Sequence, residues 1–169
     1  GAVLSKNIIN YSPFNENNDK RKFSILVLGG SQGAEIFGKV IPTVVKMIKD
    51  AGYEIEINQQ CSIGQKNSLI DFYKKNNIKN YVFEFDKNIL KLFLSSNIAI
   101  TRCGASTTAE LAHTFTPFIA VPLPDSIDNH QYLNAKYYEN KGCCWLLEQN
   151  NFNTENLFNL IMETIKNEN

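Results

Sequence analysis

The chain has 169 residues, 43% of them hydrophobic, and a formal net charge of zero. That length suits one domain with a sizeable core, and its scattered lysines make no basic field of the kind nucleic acid requires. No apolar run is long enough to span a membrane, and the opening GAVLSKNII lacks the apolar core and cleavage pattern of a signal peptide. The first residue is Gly1 and not a methionine, as expected of a piece of a longer protein.

Residues 11–22, YSPFNENNDKRK, are polar and read as the end of a lead-in segment before the domain proper at 23–169. FSILVLG (23–29) is a near-continuous apolar run, as expected of a strand buried on both faces. AEIFGKVIPTVVKMIKDAG predicts a helix ending at Gly52, with a kink at Pro42. YEIEIN (53–58) alternates like a strand. GQKNSLIDFYKKNN (64–77) has helical spacing, YVFEF (81–85) reads as a strand and NILKLFLSS as a short helix. A strand at 97–102, a helix at 105–115 and a strand at 117–123 follow. DNHQYLNAKYYENKG (128–142) predicts a helix with Asp128 as N-cap and Gly142 at its end. CCWLLE (143–148) is a strand, and 153–167 the last helix. About six βα units in succession imply an α/β fold, a Rossmann-like doubly wound parallel sheet of about six strands. Ligands of such sheets sit beyond the carboxyl ends of the strands, at a topological switch point. The loops that follow the strands are therefore where function is expected.

The four cysteines, Cys61, Cys103, Cys143 and Cys144, make no C-x-x-C pair, which gives zinc or redox chemistry little support. Adjacent Cys143 and Cys144 on one strand would face opposite ways. Free thiols in a reducing cytosol are the expectation.

Three loops could carry chemistry. Gly29-Gly30-Ser31-Gln32-Gly33 fits the G-x-S-x-G nucleophile elbow of serine hydrolases. That reading needs an acid and a histidine from separate loops, whereas His113 falls within a helix and His130 two residues from Asp128. The same stretch also fits a phosphate- or sugar-nucleotide-binding turn, in which Gly29, Gly30 and Gly33 allow close approach and Ser31 donates a hydrogen bond. It is not the G-x-G-x-x-G dinucleotide fingerprint, and a plain strand–helix turn is the simplest alternative. In TRCGASTTAE (101–110), Gly104 turns the chain and Ala105, Ser106 and Thr107 open a helix whose free amides suit a diphosphate. Glu110, one turn on, can accept from ribose hydroxyls; plain capping and a solvated charge are the alternatives. In PLPDSIDNHQYLNA (122–135), His130, Gln131 and Asn134 share one helix face, as sugar hydroxyls would require, or as any polar helix face would show. No D-x-D triplet is present to carry a metal–diphosphate bridge, so neither metal nor cofactor is expected.

GGSQGA (29–34), FEFDKNI (83–89), TRCGASTTAE (101–110) and DNHQYLNA (128–135), in that order, resemble the C-terminal half of the MurG family. The resemblance runs from about residue 23 to the chain's end. It implies one half of a GT-B fold, the half that holds UDP-GlcNAc. The other half holds the acceptor, lipid I, on the cytoplasmic face of the inner membrane, where the family makes lipid II for peptidoglycan. Phe85 would cover the uracil and the backbone at Asp86 would read its edge. Glu110 would bind the ribose. Gly104 and the amides at Ala105, Ser106 and Thr107, with Gly30 and Ser31 opposite, would hold the diphosphate; His130, Gln131 and Asn134 would address the GlcNAc. Glu35 stands where the family commonly has a basic residue, Asp86 where some members have an apolar one, and His130 where relatives can have Gln. The family's acceptor half, with its proposed catalytic histidine, is not in this sequence, so none of these residues is expected to be catalytic. The chain alone is expected to bind the donor weakly and not to transfer sugar. A stand-alone donor-binding subunit of a two-protein transferase and a non-catalytic nucleotide-sugar-binding domain are the alternatives.

Overall fold

The structure is a computed structural model, which describes residues 22–30 and 34–167. The expected lead-in, apart from Lys22, lies outside the described residues, as do Ser31 and Gly33 of the glycine turn.

The elements in chain order are β1 (Lys22–Leu28), α1 (Glu35–Asp50), β2 (Glu54–Gln60), α2 (Ile63–Lys75), β3 (Lys79–Phe83), α3 (Ile89–Ser95), β4 (Ile98–Thr101), α4 (Ala105–His113), β5 (Phe118–Ala120), α5 (His130–Asn140), β6 (Cys144–Leu146) and α6 (Thr154–Asn167). Two single 3-10 turns, Ile127–Asn129 and Gln149–Asn151, complete them. All strand pairings are parallel, in the order β3-β2-β1-β4-β5-β6. The expected doubly wound sheet is present, with six strands.

Central β1 explains the two-layer build. Phe23, Ile25 and Val27 point into one layer, against Phe37, Ile41 and Val45 of α1 and Leu157 and Ile161 of α6. Leu26 and Leu28 point into the other, with Phe93 of α3, Leu111 of α4 and Ala135 of α5. Because both faces are covered, the interior of the strand is apolar except for Ser24, which is buried. Each wholly buried Ile, Leu or Val contributes ~1.5–3 kcal/mol of burial. Asn97 sets β4 beside β1 before the ladder begins: its Oδ1 accepts from Ser24 N at 2.6 Å and its own N–H donates to Ser24 O at 2.9 Å.

Several boundaries move. β3 lies two residues earlier than its apolar run, because edge residues Lys79 and Asn80 pair by backbone with Glu56 and Ile57. β2 runs on to Gln60, while β5 and β6 shrink to three residues each. α1 continues unbroken through Pro42. The larger correction concerns Asp128, which is not an N-cap: with φ 52° it lies in the left-handed region inside the 3-10 turn, and α5 begins at His130. Asn129, at φ 55°, is the N-cap of α5, and Ser126 Oγ from before the turn accepts from Gln131 N at 3.3 Å.

Candidate functional site

β1 and β4 are neighbours, their last pair being Leu28 with Thr101, and Arg102 N extends the contact to Leu28 O at 3.1 Å. Beyond that pair the chains part. β1 leads to α1 in one layer and β4 to α4 in the other. That point, at the carboxyl edge, is the topological switch point of the sheet, where ligands of such sheets bind. The glycine turn and the 102–104 loop, singled out from sequence, are the two loops that leave from it.

On the β1 side, Gly30 is exposed with φ +84°, and a Cβ there would meet nothing within 4 Å. Backbone conformation therefore demands the glycine, not lack of room. On the β4 side, Gly104 is the N-cap of α4 and has no side chain to occupy the helix amides. The first intrahelical bond is Thr108 N to Gly104 O at 3.1 Å. The amides of Ala105, Ser106 and Thr107 precede it and have no acceptor within the helix. Together with the helix dipole they form a positive end suited to an anion. Ala105 and Ser106 are exposed, and Glu110 is exposed one turn further on.

The start of α5 closes the site on the β5 side. His130 Nδ1 lies 2.8 Å from Ile127 O, and because a carbonyl only accepts, this nitrogen carries the proton. Nε2 is left for a ligand. Gln131 and Asn134 are engaged with backbone. Gln131 Oε1 accepts from Cys103 N at 3.0 Å and from Leu123 N at 2.9 Å. Asn134 Nδ2 donates to Cys103 O at 3.1 Å. The two side chains thus join the third loop of the site to the second, and their outward amide atoms remain for hydroxyls.

Phe85 lies in the β3–α3 loop with 81% of its surface exposed, a large apolar face open to a ligand. Asp86 next to it has both oxygens occupied, Oδ1 by Asn88 N at 2.7 Å and Oδ2 by the Tyr81 hydroxyl at 2.9 Å. The Asn88 amide first, then the Tyr81 hydroxyl, hold the carboxyl below the usual aspartate range. With the side chain engaged inside its own loop, the backbone is the part of Asp86 left to a ligand.

One residue at the heart of the site escapes sequence reasoning. Arg102 is half-buried and spans three strand ends: Nη1 reaches Val121 O and Pro122 O, both at 3.3 Å, and Nη2 reaches Gln149 Oε1 at 2.7 Å. Its guanidinium also sits 5.2 Å from the Phe37 ring centre. Burial pulls its pKa below the ordinary value, yet an arginine stays protonated. An arginine closing an otherwise apolar strand was the available signal; Gln149, 47 positions on, offered none. Beside it, Pro122, Leu123, Tyr132 and Gln149 line a shallow cavity of about 100 Å³. Among the described residues no group of three or more His, Cys, Asp or Glu is placed to hold a metal ion.

The sequence profile of the glycosyltransferase family 28 C-terminal domain matches residues 24–169. The chain belongs to this family. Family 28 relatives named UDP-N-acetylglucosamine--N-acetylmuramyl-(pentapeptide) pyrophosphoryl-undecaprenol N-acetylglucosamine transferase include those of Rickettsia prowazekii and Pelagibacter ubique. The first is 41% identical over 86% of this chain and 38% of its own length; the second is 36% identical over 98% and 46%. The chain thus spans about half the length, or less, of these curated relatives. In fold, it is similar to Acinetobacter baumannii MurG, with a TM-score of 0.76 at 23% identity over 98% of this chain and 50% of that one. The solution structure of ALG13 has a TM-score of 0.55 at 14% identity, over 88% of this chain and 87% of that one.

Proposed function

We propose that this chain is the donor-binding half of an inverting glycosyltransferase that moves GlcNAc from UDP-GlcNAc to lipid I, forming lipid II for peptidoglycan. The observation that carries the reading is the N-terminus of α4, whose N-cap is Gly104, at the end of β4 beside β1, in a chain of this family. Phe85 covers the uracil, the backbone at Asp86 reads its edge, and Glu110 binds the ribose. The amides of Ala105, Ser106 and Thr107, together with Gly30 and Ser31, hold the diphosphate. His130 Nε2 and the outward atoms of Gln131 and Asn134 meet the GlcNAc hydroxyls.

The chemistry asked of this half is leaving-group stabilisation. As the bond from the anomeric carbon to the diphosphate breaks, negative charge grows on the phosphate oxygen. Preorganised amides aimed at that charge lower the barrier without a metal ion. The base that takes the acceptor's hydroxyl proton and the contacts to lipid I lie in the family's other half, so the whole enzyme works at the cytoplasmic face of the membrane. Among the described residues no helix is long and apolar enough to cross a membrane.

The test is Glu110→Ala. It should weaken binding of UDP and of UDP-GlcNAc alike while leaving the unfolding midpoint in place. Unchanged affinity for both would remove Glu110 from the ribose and, with it, the assignment of this loop.

A further inference from the structure

We propose that Gln131 is a positioning residue for the diphosphate end of the site, which it does not touch, and that α5 thereby sets the N-terminus of α4. The proposal rests on the donor-site reading above for its consequence, though not for its geometry.

The β4–β5 ladder ends with Val121 N bonded to Thr101 O at 2.8 Å. The next bonds of that ladder would join Cys103 N to Val121 O and Leu123 N to Cys103 O, and neither is made. Side chains take over where the ladder stops. Gln131 Oε1 holds Cys103 N on one loop and Leu123 N on the other, at 3.0 and 2.9 Å. Asn134, three positions later and on the same face of α5, donates to Cys103 O at 3.1 Å. Both backbone polar groups of Cys103 are therefore held by α5, and Gly104, the N-cap of α4, follows directly. Arg102 stitches the same two segments from the other side, through Val121 O and Pro122 O. Leu123 is 42% exposed, so its amide would be open to water without Gln131. A glutamine that serves only to touch sugar has no need of two backbone amides on its oxygen. One that latches two loops does. Release of the latch frees residues 103–104, and the amides of Ala105–Thr107 then spend less time aimed at a common point.

The test uses the chain with Gln131→Met, which keeps the side chain's length and removes its acceptor, and Gln131→Glu, which keeps an acceptor oxygen. Amide exchange followed by NMR should show protection at Cys103 and Leu123 falling about fivefold or more in Gln131→Met, the loss of roughly one hydrogen bond, with Val121 still protected. Protection should persist in Gln131→Glu. Titrated with UDP, which has no sugar, Gln131→Met should bind about fivefold more weakly than the wild type, the factor by which the competent loop population falls. UDP-GlcNAc should weaken by at least that factor, because Gln131→Met also removes the amide that faces the sugar. Unchanged protection in Gln131→Met would overturn the latch. Unchanged UDP affinity with weakened UDP-GlcNAc would overturn it too, and leave Gln131 as a sugar contact. If the wild type binds neither uridine ligand, the donor reading fails, and the latch stands or falls on the exchange data alone. Should Gln131→Met not fold, Asn134→Ala opens the other arm and should lower UDP affinity likewise; no change there would sink the proposal.

Discussion

Replacing Arg102 with methionine keeps an unbranched side chain of similar reach and removes the guanidinium that ties three strand ends together. The bond to Gln149 Oε1 at 2.7 Å has a charged donor, a type worth ~1.5–3 kcal/mol. The two carbonyls at 3.3 Å share one nitrogen and add little, about 0.5 kcal/mol together. The position over the Phe37 ring, 5.2 Å from its centre, adds ~0.5–1 kcal/mol. Relief of desolvating a half-buried cation offsets part of this, and the methionine stem keeps much of the packing. A net loss of about 2–3 kcal/mol follows, which at a urea m-value of about 2 kcal/mol per molar lowers the unfolding midpoint by about 1–1.5 M. Equilibrium urea unfolding followed by tryptophan fluorescence measures it, since Trp145 lies in β6, whose loop carries Gln149. A midpoint lowered by less than about 0.2 M would mean that desolvation cancels the contacts, and would refute Arg102 as the tie. Lysine in its place should recover only part of the loss, because an ammonium is a point donor and cannot fork to the same partners.

Three further outcomes are expected. A Cβ at Gly38 would come 2.5 Å from Gln65 Nε2, displacing the amide that donates to Glu35 O; Gly38→Ala should therefore gain nothing alone but stabilise by about 0.5–1 kcal/mol in a Gln65→Ala background, and urea midpoints showing a loss in that background would contradict the packing. Asp86, with its pKa depressed by the Asn88 amide and the Tyr81 hydroxyl, stabilises the fold above the ordinary aspartate range and stops doing so as pH falls through its lowered folded value; carboxyl NMR should place its midpoint below that of an unstructured aspartate, and a midpoint at or above it would contradict the loop geometry. Cys103 is buried, with a thiol pKa pushed up to about 12 by desolvation, whereas Cys143 is half-exposed; a maleimide should label Cys143 well before Cys103 in the native chain, and equal rates would show the 102–104 loop opening freely.

The fold was legible because burial dictates pattern. β1, covered on both faces, is apolar but for its first residue and Ser24, and the alternation of such runs with helical spacing left one sheet architecture. Boundaries were less legible where backbone pairing needs no apolar side chain, as at Lys79 and Asn80 of β3, or where side chains take over from a ladder, as beyond Val121. The 127–129 turn hid for a different reason. Asp128 and Asn129 take left-handed backbone at low cost, so a residue type that favours N-caps served the turn, and Asn129 became the N-cap of α5. Motif reasoning found the loops of the site but not their wiring. Gln131 and Asn134 read as sugar-facing amides, and nothing local shows that Cys103, 28 and 31 positions away, uses their inner atoms. Arg102 with Gln149 is the same case: a long-range pair is written in the topology, which a motif does not contain.

The central claim is that the carboxyl-edge loops form a cradle for a uridine diphosphate sugar. The most direct measurement is protein-observed NMR during titration with UDP-GlcNAc, with UDP and ADP-glucose as comparisons. Both uridine ligands should shift Gly30, Phe85 and Gly104 through Glu110, UDP-GlcNAc should add shifts at His130, Gln131 and Asn134, and ADP-glucose should do neither. Shifts that ignore the base, or that map away from the switch point, would contradict it.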